Sequence, residues 1–239
     1  MTAAAHSALV LSDGVYERLR AALMRAELRP NHRLKVRDLA RQMGTSETPV
    51  REALLQLAHD GAVEIKPRFY IRVRRLSLAE YVEIRDIRLE LEPMAAERAL
   101  PRVGPEEIAE LEAAHERLVT AEEAGDWPVA LEANFDFHFG LYGRSGMTTL
   151  TEVLTGLWMR IGPMLSELYP AAKPAYADEH QHLAVLAALR SRDAPALRMA
   201  IRMDLIEGGR GLIRHLATLE GASPGTDAPA PSPRRTRRP

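Results

Sequence analysis

Residues 39–60 read LARQMGTSETPVREALLQLAHD, and this stretch decides how the rest of the chain is read. Leu39, Ala40 and Met43 recur at helical spacing, and Gly44 follows where a left-handed residue ends a helix at least cost. Ser46 or Thr48 can cap a second helix, with Pro49 accommodated in its first turn, where the missing amide has no partner. Val50, Ala53, Leu54 and Leu57 form that helix's apolar stripe, while Glu47, Thr48, Arg51 and Glu52 point away from it. Two short helices joined by a tight turn, the second presenting its polar first turn outward, make a helix-turn-helix. A helical hairpin inside an ordinary bundle is the competing reading.

The flanks favour the first reading. After Gly61, AVEIKPRFYIRV alternates apolar and polar residues about Pro67, the pattern of a β-hairpin wing. Lys66, Arg68, Arg72, Arg74 and Arg75 make it strongly basic. Upstream, Val15, Leu19, Ala22 and Leu23 trace an amphipathic helix, and Arg29-Pro30-Asn31 turns the chain into Leu34. The expectation is a winged helix-turn-helix over residues 13–75, preceded by a flexible N-terminus over residues 1–12.

The run RLKVRDLARQMGTSETPVREALLQLAHDGAVEIKP resembles the N-terminal domain of the GntR family of bacterial transcription regulators, with the match carried by PVREAL at residues 49–54 and by the Gly44 turn. The resemblance implies a dimer reading an operator in double-stranded DNA. It maps the family's contact positions onto Arg37, Glu47 and Arg51. Arg51 suits a bidentate bond to guanine, and Arg37 suits a phosphate or base edge. Glu47 departs from the Arg common at its position, and no glycine stands at the wing tip around Phe69-Tyr70. Thr48, Lys66 and Arg68 complete the expected contacts, with Arg68 directed to the minor groove.

A chain of 239 residues suggests two domains. Hydrophobic content of 46% with 5% aromatics, in a chain rich in Leu, Ala, Arg and Glu, leans toward helix. No apolar run approaches the ~18 residues of a membrane span. The opening MTAAAHSALVLSDG lacks the basic start of a signal peptide. The absence of cysteine excludes disulfides and thiolate metal sites and suits a reducing cytoplasm, the expected location. Charge divides the chain. Residues 1–75 hold 14 Lys/Arg against 8 Asp/Glu, residues 76–220 hold 14 against 24, and residues 221–239 hold 4 against 1. The basic head fits phosphate binding, whereas DNA would repel the acidic remainder, which must do another job.

Residues 76–220 read as about six antiparallel helices: 77–100, 106–123, one opening at Asp126-Trp127-Pro128 and closing before Gly143, 147–169 with a kink at Gly162-Pro163, 177–191 and 195–219. The fold class is mostly α, a winged helix with a small β wing followed by an all-α bundle for effector binding and dimerisation. Residues 221–239, Pro/Ser/Ala-rich with a basic end, are expected to be disordered. Within the bundle, Asn134 and His138 are four apart and share a helix face. His182 lies nearer than His180 to the inward side of its helix, and Asp204 stands between Ile201 and Leu205. Such a set would suit a divalent cation with nitrogen and oxygen ligands. Buried histidines ordinarily serve as hydrogen-bonded core residues, and spacing alone does not separate the two readings.

Residues from about Leu78 to Leu216 resemble the all-helical effector (FCD) domain of the FadR-like branch of that family. Arg88, Leu91, Glu92 and Pro93 match R-x-x-L-E-P, Asn134 and His138 within NFDFH match N/D-x-x-x-H, and residues 182–189, followed by Asp193, match the His-containing element. The resemblance implies a metal held by Asn134, His138, His182 and the residue eleven after Asp193. That residue is Asp204 where the family has His. The site is expected to survive with altered preference among Zn²⁺, Ni²⁺ and Mn²⁺, with loss of metal as the alternative. Arg88 is the implied anchor for a carboxylate effector, since a guanidinium fork suits that role. Its alternative is pairing with Asp86 or Glu92. Arg160 is a second effector candidate.

The function expected is a homodimeric DNA-binding regulator, a repressor modulated by a small organic acid. One alternative is a DNA-binding protein whose bundle only dimerises. A metal-dependent hydrolase is the remote one, lacking a second carboxylate at general-base spacing, a phosphate loop and a nucleophile motif.

Overall fold

A computed structural model describes residues 3–170, 172, 174 and 179–221. Helix α1 (Ala3–Met24) opens the chain, followed by α2 (Val36–Met43), α3 (Glu47–His59), β1 (Val63–Lys66) and β2 (Tyr70–Val73). Helices α4 (Leu78–Ala99), α5 (Pro105–Ala124), α6 (Trp127–Tyr142), α7 (Thr148–Leu165), α8 (Gln181–Ser191) and α9 (Ala194–Gly221) build the bundle. Among the described residues, no helix is long and apolar enough to cross a membrane.

The head forms for the local reasons its sequence suggests. Gly44 closes α2 in the left-handed conformation (φ 65°), and Val50, Ala53, Leu54 and Leu57 of α3 are fully buried. Ser46 takes the N-cap position of α3 without a side-chain cap bond, and Thr48 lies inside the first turn. Strands β1 and β2 pair antiparallel with Lys66 opposite Tyr70, leaving a three-residue tip at residues 67–69. With no glycine there, Arg68 itself adopts the left-handed conformation (φ 66°). Helix α1 begins at Ala3, inside the stretch expected to be flexible; Ala3, Ala4, Ala5 and Ala8 have the highest helix propensity of any residue.

In the bundle, α4 packs on α9 and α7, α5 on α6, and α8 on α9. Ser77 and Glu80 form a reciprocal capping box at the start of α4, Asp126 caps α6, and Gly125 ends α5 in the left-handed conformation. Helix α7 ends at Leu165, short of the expected 169, and α8 starts at Gln181 rather than 177. Residues 177, 178 and 222–239, the expected disordered tail among them, lie outside the described residues. Pro163 stands within α7, beside Gly162, whose lack of a side chain has a packing reason. A Cβ at Gly162 would overlap the carbonyl oxygen of Leu23, so α1 lies directly on α7. Trp158 and Met159 of α7 accordingly belong to the same apolar core as Val15, Leu19, Leu23 and Leu54 of the head. Head and bundle share a core.

Candidate nucleic-acid interface and histidine cavity

Arg37 at the start of α2, Glu47, Thr48 and Arg51 on α3, and Lys66 and Arg68 on the wing are all exposed. The first turn of α3 is thus presented outward, with the wing tip as a second basic element. Arg51 donates to Glu47 at 2.7 Å, one helical turn back, with side chains 60% and 46% exposed. An exposed pair of this kind is worth under about 1 kcal/mol, so a phosphate or base edge can displace it. At the wing tip Phe69 is 73% exposed, with the Lys66 ammonium 5.1 Å from its ring centre. Sequence reading passed over Phe69, although an aromatic residue on a turn among cations was the available signal.

The second site lies inside the bundle. A cavity of about 60 Å³ is lined by Arg88 of α4, Asn134 and His138 of α6, Trp158 of α7, His180 before α8 and Asp204 of α9. That is room for a few water molecules. Four of these were expected to meet, and they do line one cavity: Asn134 and His138 one turn apart, Asp204 across from them, and Arg88 beside them. His182, fully buried, directs Nε2 at His138 Nε2 (3.4 Å) and at Asp204 (3.9 Å). His138 Nε2 is 3.3 Å from the Asp204 carboxylate.

A hydrogen-bond chain extends from this group through Tyr142 to Glu92. The Tyr142 hydroxyl donates to Glu92 (2.8 Å), so its oxygen is left to accept from His138 Nδ1–H (3.1 Å). Burial, reinforced by the neighbouring histidines, holds the His182 pKa well below its ordinary value, so that ring brings no second proton at neutral pH. Two imidazole nitrogens and a carboxylate oxygen thus converge within 4.8 Å of one another. A divalent cation answers that arrangement, and the donor set fits the metal that the sequence resemblance implies.

Arg88 is buried and bound by Glu92, Nε to Oε1 at 2.5 Å and Nη2 to Oε2 at 3.4 Å, with its guanidinium 4.6 Å over the Trp158 ring. Burial works against its charge and Glu92 more than restores it, so the pKa is raised. The pairing alternative is therefore realised while Arg88 still lines the cavity. Glu92 also accepts from the Trp158 indole N–H at 2.6 Å. Sequence reading missed Trp158, Tyr142 and His180, because their roles come from contacts between segments far apart in the chain. His180 caps α8, its Nδ1 accepting the His182 amide (3.1 Å), so counting helix faces did not apply to it.

Arg160 lies apart from the other effector candidate, Arg88. It does not line this cavity but stands at the head–bundle seam, beside Gly61 and in a groove shared with Tyr16, Arg20 and Asp60. Two residues past Trp158, it is turned about 200° round α7 from the residue that faces the cavity.

Comparison with known proteins agrees with the two-part architecture. Residues 11–73 match the family described as bacterial regulatory proteins, gntR family, and residues 83–206 match the FCD domain. The HTH-type transcriptional regulator McbR of Escherichia coli (strain K12) is 40% identical over 174 residues, 72% of this chain and 78% of McbR. The solved structure of E. coli McbR/YncC aligns with a TM-score of 0.78 at 35% identity, covering 86% of this chain and 98% of that one. The HTH-type transcriptional repressor RspR of E. coli (strain K12) is 24% identical over 197 residues, 82% of this chain and 86% of RspR.

Proposed function

The chain belongs to the GntR family of DNA-binding transcription regulators, of the type with an FCD domain, and we propose that it is a homodimeric, cytoplasmic repressor that a small organic acid releases from a palindromic operator. The observation that carries the effector half is a buried guanidinium, Arg88, lining a cavity beside the clustered ring nitrogens and carboxylate of His138, His182 and Asp204. A carboxylate ligand would accept from Arg88 and meet a divalent ion held by Asn134, His138, His182 and Asp204. The two imidazoles favour Zn²⁺ or Ni²⁺, while the carboxylate and amide oxygens tilt the set toward Mn²⁺. Such an ion supplies a fixed positive charge for the acid to bind; the remaining work falls to the side chains.

A route from the cavity to DNA follows from the same contacts. An acid competing for Arg88 draws it from Glu92, and Glu92 holds the Trp158 indole N–H. Trp158 lies in the core that α7 shares with the head, so its displacement shifts the seam between α1 and α7. In this reading ligand binding favours one of two head placements, and operator affinity falls by the difference in ligand affinity between them.

The test is a screen of small mono- and dicarboxylates on metal-loaded full-length protein, with thermal stability and operator affinity measured together. An acid that raises the melting temperature, weakens operator binding and loses both effects in Arg88→Gln supports the reading. Thermal stability and operator affinity unmoved by every acid, in protein that still binds its operator, would reduce the bundle to a dimerisation device.

A further inference from the structure

Beside the inner group lies a second cluster of imidazoles, made by His115 of α5 with His180 and His182 at the start of α8. One potential ligand atom from each lies within 4.8 Å of the others, and the ring centres are 4.2 to 5.5 Å apart. The family resemblance assigns nothing to His115 or His180. Two nitrogens here are anomalous. Among the described residues, His115 Nδ1 and His182 Nδ1 are buried without a hydrogen-bond partner. Leaving a buried polar atom unmet is costly, and such an atom calls for a partner of its own. Because His182 Nε2 is turned to His138 and Asp204, Nδ1 is the ring nitrogen left for that partner. Burial lowers the pKa of all three rings, that of His180 to about 4.

We propose that His115, His180 and His182 form an outer, all-nitrogen site for a divalent transition ion such as Ni²⁺, Zn²⁺ or Co²⁺, sharing the His182 ring with the inner group. A neutral imidazole carries one proton, and this sets the relation between the sites. With the ion on Nδ1 of His182, the Nε2–H donates toward Asp204. With the ion on Nε2, the proton sits on Nδ1. The two positions are alternatives for one ion, and moving between them shifts one proton across the ring. The outer position is the more accessible, since His180 is only half-buried whereas His138 and Asp204 are buried. It is placed to receive an ion first. Tetrahedral bonds of about 2.0–2.1 Å hold nitrogens roughly 3.4 Å apart, so the cluster contracts on binding. His182 is fixed by stacking on Phe137, 3.6 Å between ring centres, and the half-buried His180 supplies movement. Coordination by His180 exchanges its cap bond to the His182 amide for the metal bond.

The outer site stands independently of the effector reading and of the inner metal. Full-length protein, freed of any affinity tag and stripped with chelator, is equilibrated with Ni²⁺ and its bound metal measured. His138→Ala and Asp204→Asn each open the inner group, so one serves if circular dichroism finds the other unfolded. Either variant is expected to retain one Ni²⁺ per chain and to lose it when His115→Ala is added. A folded inner-site variant that binds no Ni²⁺ would overturn the proposal, as would a His115→Ala addition that leaves affinity within twofold. The single His115→Ala variant separates the sites. Retention of its ion means the inner group also binds, whereas loss there, with retention in His138→Ala, supports the outer site and refutes the inner one.

Discussion

Glu92 is the residue on which the cavity's polar contacts converge: Arg88, Tyr142 and Trp158 all donate to its buried carboxylate. Removing one partner of a buried ion pair leaves an uncompensated charge and costs about 3–5 kcal/mol. Arg88→Ala should therefore destabilise the protein by about that much in urea titration; a loss below about 1 kcal/mol would show that the pair does not hold the cavity together. On the DNA side, Glu47 accepts from Arg51 and places a carboxylate where phosphates approach. Glu47→Gln should strengthen operator binding several-fold, and unchanged or weaker binding in a gel-shift titration would mean that Glu47 reads a base. Both residues were legible as candidates. The Arg88–Glu92 spacing of one helical turn announced a possible pair, and Glu47 stood out against the family pattern. The Glu92–Trp158 bond joins residues 66 apart in sequence and was not legible, because no local periodicity encodes it.

Helix α7 connects the cavity to the head, with Trp158 facing inward and Gly162 against the last turn of α1. Two glycines of this helix make an internal control. A Cβ at Gly162 would overlap the Leu23 carbonyl, whereas one at Gly156 would meet nothing within 4 Å among the described residues. Gly156→Ala should stabilise by up to about 1 kcal/mol through helix propensity. Gly162→Ala should lower the melting temperature and loosen the head, read as faster amide exchange in residues 15–24. Equal effects of the two substitutions would mean that α1 does not rest on α7. Element types and caps were readable because Gly44, Gly125, Asp126 and Ser77 act on their own neighbours. The pair Gly162-Pro163 stood out in the sequence, but the contact that constrains Gly162 did not, since it comes from a helix more than a hundred residues upstream. The start of α8 lies four residues beyond the expected 177, where composition gives no sharp boundary.

Across the whole molecule, the division into a basic head and an acidic bundle was plain in the charge count, but the way they join was not. Arg25 at the end of α1 reaches Glu132 (2.7 Å) and Asp136 (3.2 Å) of α6, and Arg75 reaches Glu167 (3.0 Å) just beyond α7. Cations of the head thus meet anions of the bundle at the seam, beside the shared apolar core. These pairs are partly exposed and contribute little each, so the core sets the docking and the charges orient it. If a divalent ion fills the cavity, stripping it with EDTA should lower the melting temperature, and re-adding Ni²⁺ or Mn²⁺ should restore it. A melting temperature indifferent to chelator and to added metal would remove the ion from the account. The central claim is that this molecule recognises a specific DNA sequence through α3 and the wing. It is tested most directly by letting the full-length protein select fragments of its own genome at physiological salt and sequencing what it retains. The account predicts enrichment of a short palindrome, lost in Arg51→Ala while the fold is kept. Retention of fragments without sequence preference, disappearing uniformly as salt rises, would contradict it.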